Sequence, residues 1–240
     1  MSAPAAHPAQ AEALDRLVDD VEALERRGLR SVVVFDLDDT LFSTARRHLR
    51  ILREYAGHRG VEALARVEAR QLRYAIVDTA RAAGLEDAEL LKDLRGFWFS
   101  RFFQNEYLAE DEPLPGAAEY CKELARRGAR VVYMTGRDES MRAGTEAALA
   151  RHGFPTERAL SELILKPRFD TPDLEFKREA IGVVAAQGEV AGAFENEPLH
   201  VNMFRDAFPQ AHVFLLETKH SGKPVEPHPS AKRIRDFRRR

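Results

Sequence analysis

The chain is nearly free of cysteine and of net charge. Cys121 is the single cysteine in 240 residues, so an intramolecular disulfide is excluded. No cysteine and histidine spacing resembles a zinc site, and a reducing cytoplasm is the expected setting. With 37 basic against 39 acidic residues the formal charge is −2, which exerts no overall pull toward nucleic acid or an anionic membrane. No apolar run approaches the roughly 18 residues of a membrane span. The Ala- and Pro-rich start, Met1 to Gln10, lacks the apolar centre of an export signal. The expectation is a soluble, unexported protein without a membrane partner, for which nucleic acid is not the expected ligand.

What is present is concentrated at one place. The run Val32-Val33-Val34-Phe35 stops abruptly at Asp36-Leu37-Asp38-Asp39-Thr40-Leu41. Consecutive apolar β-branched residues suit a strand buried on both faces of a parallel sheet, and ligands of such sheets bind at the carboxyl edge. Asp36 and Asp38 straddle the turn at that edge, so one can attack or hold a hard cation while the other handles a proton. An isolated Asp-x-Asp is usually only a turn; here three further polar strand ends follow it in order.

Leu14, Leu17, Val18, Val21 and Leu24 predict a helix from about Ala11 to Arg27, closed by Gly28. Residues 43–112 read as an inserted block of three or four helices carrying Leu49-Leu52-Tyr55, Leu64-Val67-Leu72-Ile76 and Leu90-Leu94-Phe97-Trp98-Phe102. After the linker Asp111 to Gly116, strands are predicted at Arg130 to Thr135, Glu162 to Leu165, Val190 to Glu195 and His212 to Leu216, alternating with helices. Five short strands separated by amphipathic helices predict an α/β fold, a doubly wound Rossmann-like parallel sheet. The expected organisation is an N-terminal helical extension over 1–30, a core over 31–42 and 113–221, and a basic tail over 222–240, disordered or loosely docked.

The strand ends carry the candidate chemistry. The second ends in Thr135-Gly136-Arg137, the third is followed by Lys166 and Lys177, and the fourth ends in Glu195-Asn196-Glu197. With Asp36-x-Asp38-x-Thr40 these motifs resemble the haloacid dehalogenase-like superfamily, and by position the resemblance makes 43–112 a helical cap. It implies a Mg²⁺-dependent phosphatase acting on a small phosphorylated substrate. In that reading Asp36 is the nucleophile, forming an aspartyl-phosphate, and Asp38 is the acid/base. Thr135, Gly136 and Arg137 would bind the phosphoryl group, and a lysine would offset its charge. The lysine is Lys177 or Lys166; the segment Arg168 to Lys177 resembles the polynucleotide-kinase-type phosphatases of the superfamily, which favours Lys177. Asp36, Asp38, Asn196 and Glu195 would hold the metal, with the Asn196 amide standing where an aspartate is usual. The rival readings are a phosphotransferase or mutase with the same first half-reaction, a carbon–halogen hydrolase, and a catalytically silent binding module.

Several conspicuous residues carry blander expectations. The aromatics Phe97, Trp98, Phe99, Phe102, Phe103 and Tyr107 fall at helical spacing and are expected mainly in the core of the inserted block. Cys121 is expected to be buried and inert, and His200 structural or exposed. Asp173 can cap the helix that bears Lys177. Oligomeric state is left open.

Overall fold

A computed structural model describes residues 8–239, so residues 1–7 of the Ala/Pro-rich start and the terminal Arg240 lie outside the described residues. The chain runs α1 (Pro8–Arg26), β1 (Ser31–Phe35), β2 (Phe42–Ser43), α2 (Ala45–Arg59), α3 (Glu62–Ala65), α4 (Ile76–Ala82), α5 (Ala88–Phe102) and β3 (Glu112–Pro113). It continues through α6 (Ala117–Arg126), β4 (Ala129–Asp138), α7 (Arg142–Arg151), β5 (Ser161–Lys166), α8 (Asp173–Ala185), β6 (Glu189–Glu195), α9 (Pro198–Ala207), β7 (His212–Leu216) and β8 (Lys232–Ile234).

Six strands form one sheet in the order β5-β4-β1-β6-β7-β8, every neighbouring pair parallel. β1 lies centrally because the four residues after Ser31 are apolar enough to be enclosed: Val33 and Phe35 enter the core layer beneath α1 and α6, while Val32 and Val34 enter the layer beneath α8 and α9. The chain builds β4 and β5 on one side of β1, then crosses back to lay β6 and β7 on the other. The winding therefore reverses at β1, and a crevice opens at the carboxyl ends of β4, β1 and β6.

The predicted α/β class and parallel winding are what the structure has, with one strand more than expected. Residues 222–239 are not a loose tail. β8 pairs with β7, Ile234 and Phe237 are buried in the α1-side core, and the Phe237 ring lies 5.3 Å from that of Phe194. The density of Lys and Arg there concealed two apolar residues at positions 234 and 237. α1 packs on the sheet of its own chain; a Cβ on Gly192 would sit 2.7 Å from Leu17 Cδ2, so β6 needs glycine where the helix crosses it. Gln10 of α1 donates to Asp236 at 2.9 Å, tying the two ends of the described chain together.

Residues 45–110 form a helical block with its own apolar cluster, including Leu52, Tyr55, Leu64 and Leu94. The chain leaves and re-enters the core through the antiparallel ribbon β2–β3, where Phe42 pairs with Pro113. Leu64, Val67, Leu72 and Ile76 share that cluster without forming one helix. The five-residue step from Val67 to Leu72 breaks the helical period, and a short 3₁₀ turn at Ala69–Gln71 fills it. Among the described residues no helix is long and apolar enough to cross a membrane.

Candidate active site

β1 ends where apolar side chains give way to a tight turn. Asp36 extends the ladder by donating its N–H to the Phe194 carbonyl at 3.0 Å. The Leu37 carbonyl then accepts from the amides of Thr40, Leu41 and Phe42, and Asp39 adopts a positive φ of 56°. An aspartate tolerates that region better than a branched residue would. The Asp39 carboxylate is spent locally on the Thr44 amide and hydroxyl, which anchors the approach to α2.

Asp36 is buried, with Oδ1 2.8 Å from Lys177 Nζ, and the same ammonium lies 2.5 Å from Glu195 Oε2. Lys177 projects from α8, the crossover helix between β5 and β6, which carries its amine beneath the ends of β1 and β6. One cation thus serves two buried carboxylates. Burial and the charge of Glu195 raise Asp36 to about 7 despite the opposing pull of Lys177. Burial also acts on Glu195, yet Lys177 and then His200 hold it at about 2. Lys177 stays protonated because Asp36 and Glu195 outweigh its desolvation.

Asp38 has a different environment. Its Oδ1 lies 2.5 Å from Arg137 Nη2 and 3.0 Å from Arg47 Nη2, and both guanidinium groups also reach Asp111, at 2.7 Å and 2.5 Å. Arg47, Arg137 and Asp111 are all buried, so two cations and two anions form a neutral cluster in which only Asp38 is part-exposed, toward the crevice. Burial alone would raise Asp38, but Arg137 and Arg47 draw it well below the usual carboxylate range.

Thr135 and Gly136 share a cavity of about 560 Å³ with Asp36, Lys177 and Asn196. Thr135 is buried, and its hydroxyl accepts the Arg137 N–H at 3.3 Å. At Gly136 a Cβ would lie 2.8 Å from Asp173 Oδ2, so a larger residue there would have to displace that carboxylate. Asp173 does not cap α8. The N-cap position is Pro172, and the Asp173 carboxylate instead pairs with Lys166 at 2.8 Å. Lys166 also donates to the Phe169 and Thr171 carbonyls at 3.1 Å, so it fastens its own loop while Lys177 reaches Asp36.

The four side chains expected to hold a metal are not equally available. Glu195 gives Oε2 to Lys177 and Oε1 to the amides of Asn196 and Glu197, and Asp38, though it lines the cavity, is engaged by two guanidinium groups. That leaves Asp36 and the Asn196 amide oxygen, which accepts only a long 3.3 Å bond from Thr40, as hard donors on adjacent strand ends. Among the described residues no three His, Cys, Asp or Glu side chains group as a metal cluster. The donor set still suits a hard cation: both donors are oxygens, and with Asp36 ionised the Asp36–Glu195 pair carries one negative charge more than Lys177 cancels.

The model of the haloacid dehalogenase-like hydrolases matches residues 31–207. The chain belongs to that family. No curated protein matches the sequence. Among solved structures the hydrolase is similar to the class C acid phosphatase of Bacillus anthracis with tungstate bound, at 14% identity and a TM-score of 0.50, covering 92% of this chain and 77% of that one. It is also similar to a haloacid dehalogenase-like protein of Streptococcus pneumoniae, at 12% identity and a TM-score of 0.54 over 85% and 96% of the two chains. A third is protein tyrosine kinase A of Mycobacterium tuberculosis, at 18% identity and 0.53 over 86% and 94%. Likeness at these identities establishes the fold.

Two residues of the hydrolase's arginine–carboxylate cluster escaped the sequence reading. Arg47 had a usable signal, since it stands four and eight residues before Ile51 and Tyr55 on the buried stripe of α2, where a charge is out of place. Asp111 had none, lying in a segment that reads as linker. The aromatics are mainly in the core of the block, as expected: Phe102 and Tyr107 are buried, Phe97, Trp98 and Phe103 pack on its apolar clusters, and Phe99 is exposed, while Trp98, Phe102 and Phe103 also line the cavity. His200 is buried against Glu195, with Nδ1 3.4 Å from Oε2.

Proposed function

We propose that this hydrolase is a Mg²⁺-dependent phosphatase of small phosphomonoesters that works through an aspartyl-phosphate on Asp36. The observation that carries the reading is the buried Asp36 carboxylate 2.8 Å from Lys177 Nζ, in a cavity it shares with Thr135 and Gly136. In the first step an Asp36 oxygen bonds to phosphorus while the bond to the leaving oxygen breaks. Lys177 and the Thr135 hydroxyl compensate the charge on the transferring group. In the second step water attacks phosphorus, Asp38 takes its proton, and the acyl-phosphate bond breaks to return the Asp36 carboxylate and release inorganic phosphate.

Mg²⁺ would be held by the oxygens of Asp36 and Asn196, where it would polarise the phosphoryl group and offset the negative charge shared with Glu195. Asp38 as found is ionised, the form that draws a proton from water. Protonating the leaving oxygen in the first step requires partial release from its two guanidinium groups. Arg47 belongs to the helical block, which we take to be a cap, so cap movement supplies that release.

The Asp36→Asn protein tests the proposal. Mg²⁺-dependent hydrolysis of a generic aryl phosphate should disappear while circular dichroism and unfolding remain those of the parent. Retained hydrolysis would remove Asp36 from its role.

A further inference from the structure

The two sides of the cavity differ in chemistry. The sheet edge supplies Asp36, Thr135, Lys177 and Asn196, whereas the helical block supplies Tyr74, Ile76, Trp98 and Phe103, with His48 and Arg95 as its polar members. The Trp98 ring is stacked on Phe102 at 4.6 Å and meets Phe103 edge-on at 5.7 Å, so the rings are fixed in place by their neighbours. Trp98 spends its indole N–H on His48 Nδ1 at 3.0 Å, which uses the only donor it has and an acceptor of the imidazole. What Trp98 has left to offer is a π surface.

Tyr74 completes the wall from the irregular segment before α4. It is 59% exposed, the largest value among the exposed large apolar side chains of the described residues. An exposed ring in the lining of a cavity whose other rings are fixed by their neighbours favours a flat apolar partner over a polyhydroxylated one. The volume of about 560 Å³ admits one ring system with its phosphate.

We propose that the block selects phosphomonoesters carrying a planar aromatic ring, bonded near the phosphate or held through a sugar, and that Trp98 and Tyr74 are the specificity-determining residues. The inference rests on the phosphatase reading above. Its partner chemistry is the ring, and the substrate arms below separate an arylalkyl phosphate from a nucleotide.

The experiment compares pairs matched in leaving alcohol: benzyl phosphate against cyclohexylmethyl phosphate, and adenosine 5′-monophosphate against ribose 5-phosphate. The ring-bearing member of at least one pair should be preferred by tenfold or more in kcat/KM, and the pair that shows it identifies the source of the ring. Trp98→Ala and Tyr74→Ala should each erase most of the preference through KM, with kcat little changed. Hydrolysis of both pairs without preference would overturn the inference and leave the phosphatase reading standing. Trp98 is the only tryptophan, so its fluorescence reports binding without catalysis. In the Asp36→Asn protein the ring-bearing phosphate should quench it and the ringless partner should not. Equal response to both would overturn the inference even if no substrate were hydrolysed, an outcome that would instead count against the phosphatase reading.

Discussion

Arg137 Nη2 lies 2.5 Å from Asp38 Oδ1, joining residues 99 positions apart. That contact is half of a cluster in which Asp111 is the second anion and Arg47 the second cation. The cluster links the turn after β1, the end of β4 and the helical block, so it belongs to the fold and to the site at once.

Asp111→Ala would leave two buried guanidinium groups sharing Asp38 as their one carboxylate, alongside the Phe102 carbonyl and the Thr145 hydroxyl. Removing one partner of a buried ionic set costs about 3 kcal/mol or more. Urea unfolding should show a loss of that order. A change of only a few tenths would mean that the arginines find water or other partners.

His48 predicts a pH dependence of stability. Burial, then the charge of Arg47, lowers it from 6.5 to about 3, and its Nδ1 accepts the Trp98 N–H. Above pH 6.5 the imidazole is neutral both folded and unfolded, so it adds no pH dependence. Below 6.5 the unfolded chain takes up a proton that the folded chain refuses, and stability falls until about pH 3. At pH 5 the contribution is about 2 kcal/mol. His48→Gln should lack this fraction of the acid sensitivity in denaturant unfolding from pH 7 to 5; an unchanged slope would show that His48 is not the source.

The two lysines should separate cleanly. Lys177→Met removes the cation at Asp36, and kcat should fall by about a hundredfold or more. Lys166→Met removes two loop hydrogen bonds and an ion pair away from that carboxylate, so its effect should fall on stability, with kcat changed only a few-fold. Steady-state kinetics on both proteins decides; the opposite pattern would exchange their roles.

The docking of the C-terminal segment is equally testable. Phe237 is 2% exposed and its N–H donates to the Pro115 carbonyl at 2.9 Å. Phe237→Ala should cost about 3 to 5 kcal/mol, as core Phe truncations do. An unchanged urea midpoint would return residues 222–239 to the status of a loose tail.

The central strand and the site turn were legible because one apolar run and one Asp-x-Asp are local signals. The placing of Thr135 near the end of β4, which runs on to Asp138, and of Glu195 at the end of β6 followed from the same logic, since parallel strands bring their carboxyl ends to one edge. Lys177 was favoured over Lys166 only through the family resemblance of Arg168 to Lys177: Lys166 closes β5, Lys177 lies on α8, and it is the path of α8 that brings the second amine to Asp36. β8 was hidden because Ile234 stands among basic residues and gains its place by pairing with β7. The cavity wall was hidden for a related reason. Helical spacing marks Trp98 and Phe103 as apolar-facing, but it cannot tell a packed core from an open cavity.

The most direct measurement is of the intermediate itself. The Asp38→Ala protein, slowed in the water step, would be mixed with a radiolabelled phosphomonoester and Mg²⁺, quenched in acid and digested. The account predicts a hydroxylamine-labile label on the peptide containing Asp36, absent when Asp36 is also replaced by Asn. Label on any other peptide, or release of phosphate from the parent protein with Asp36 never phosphorylated, would contradict it.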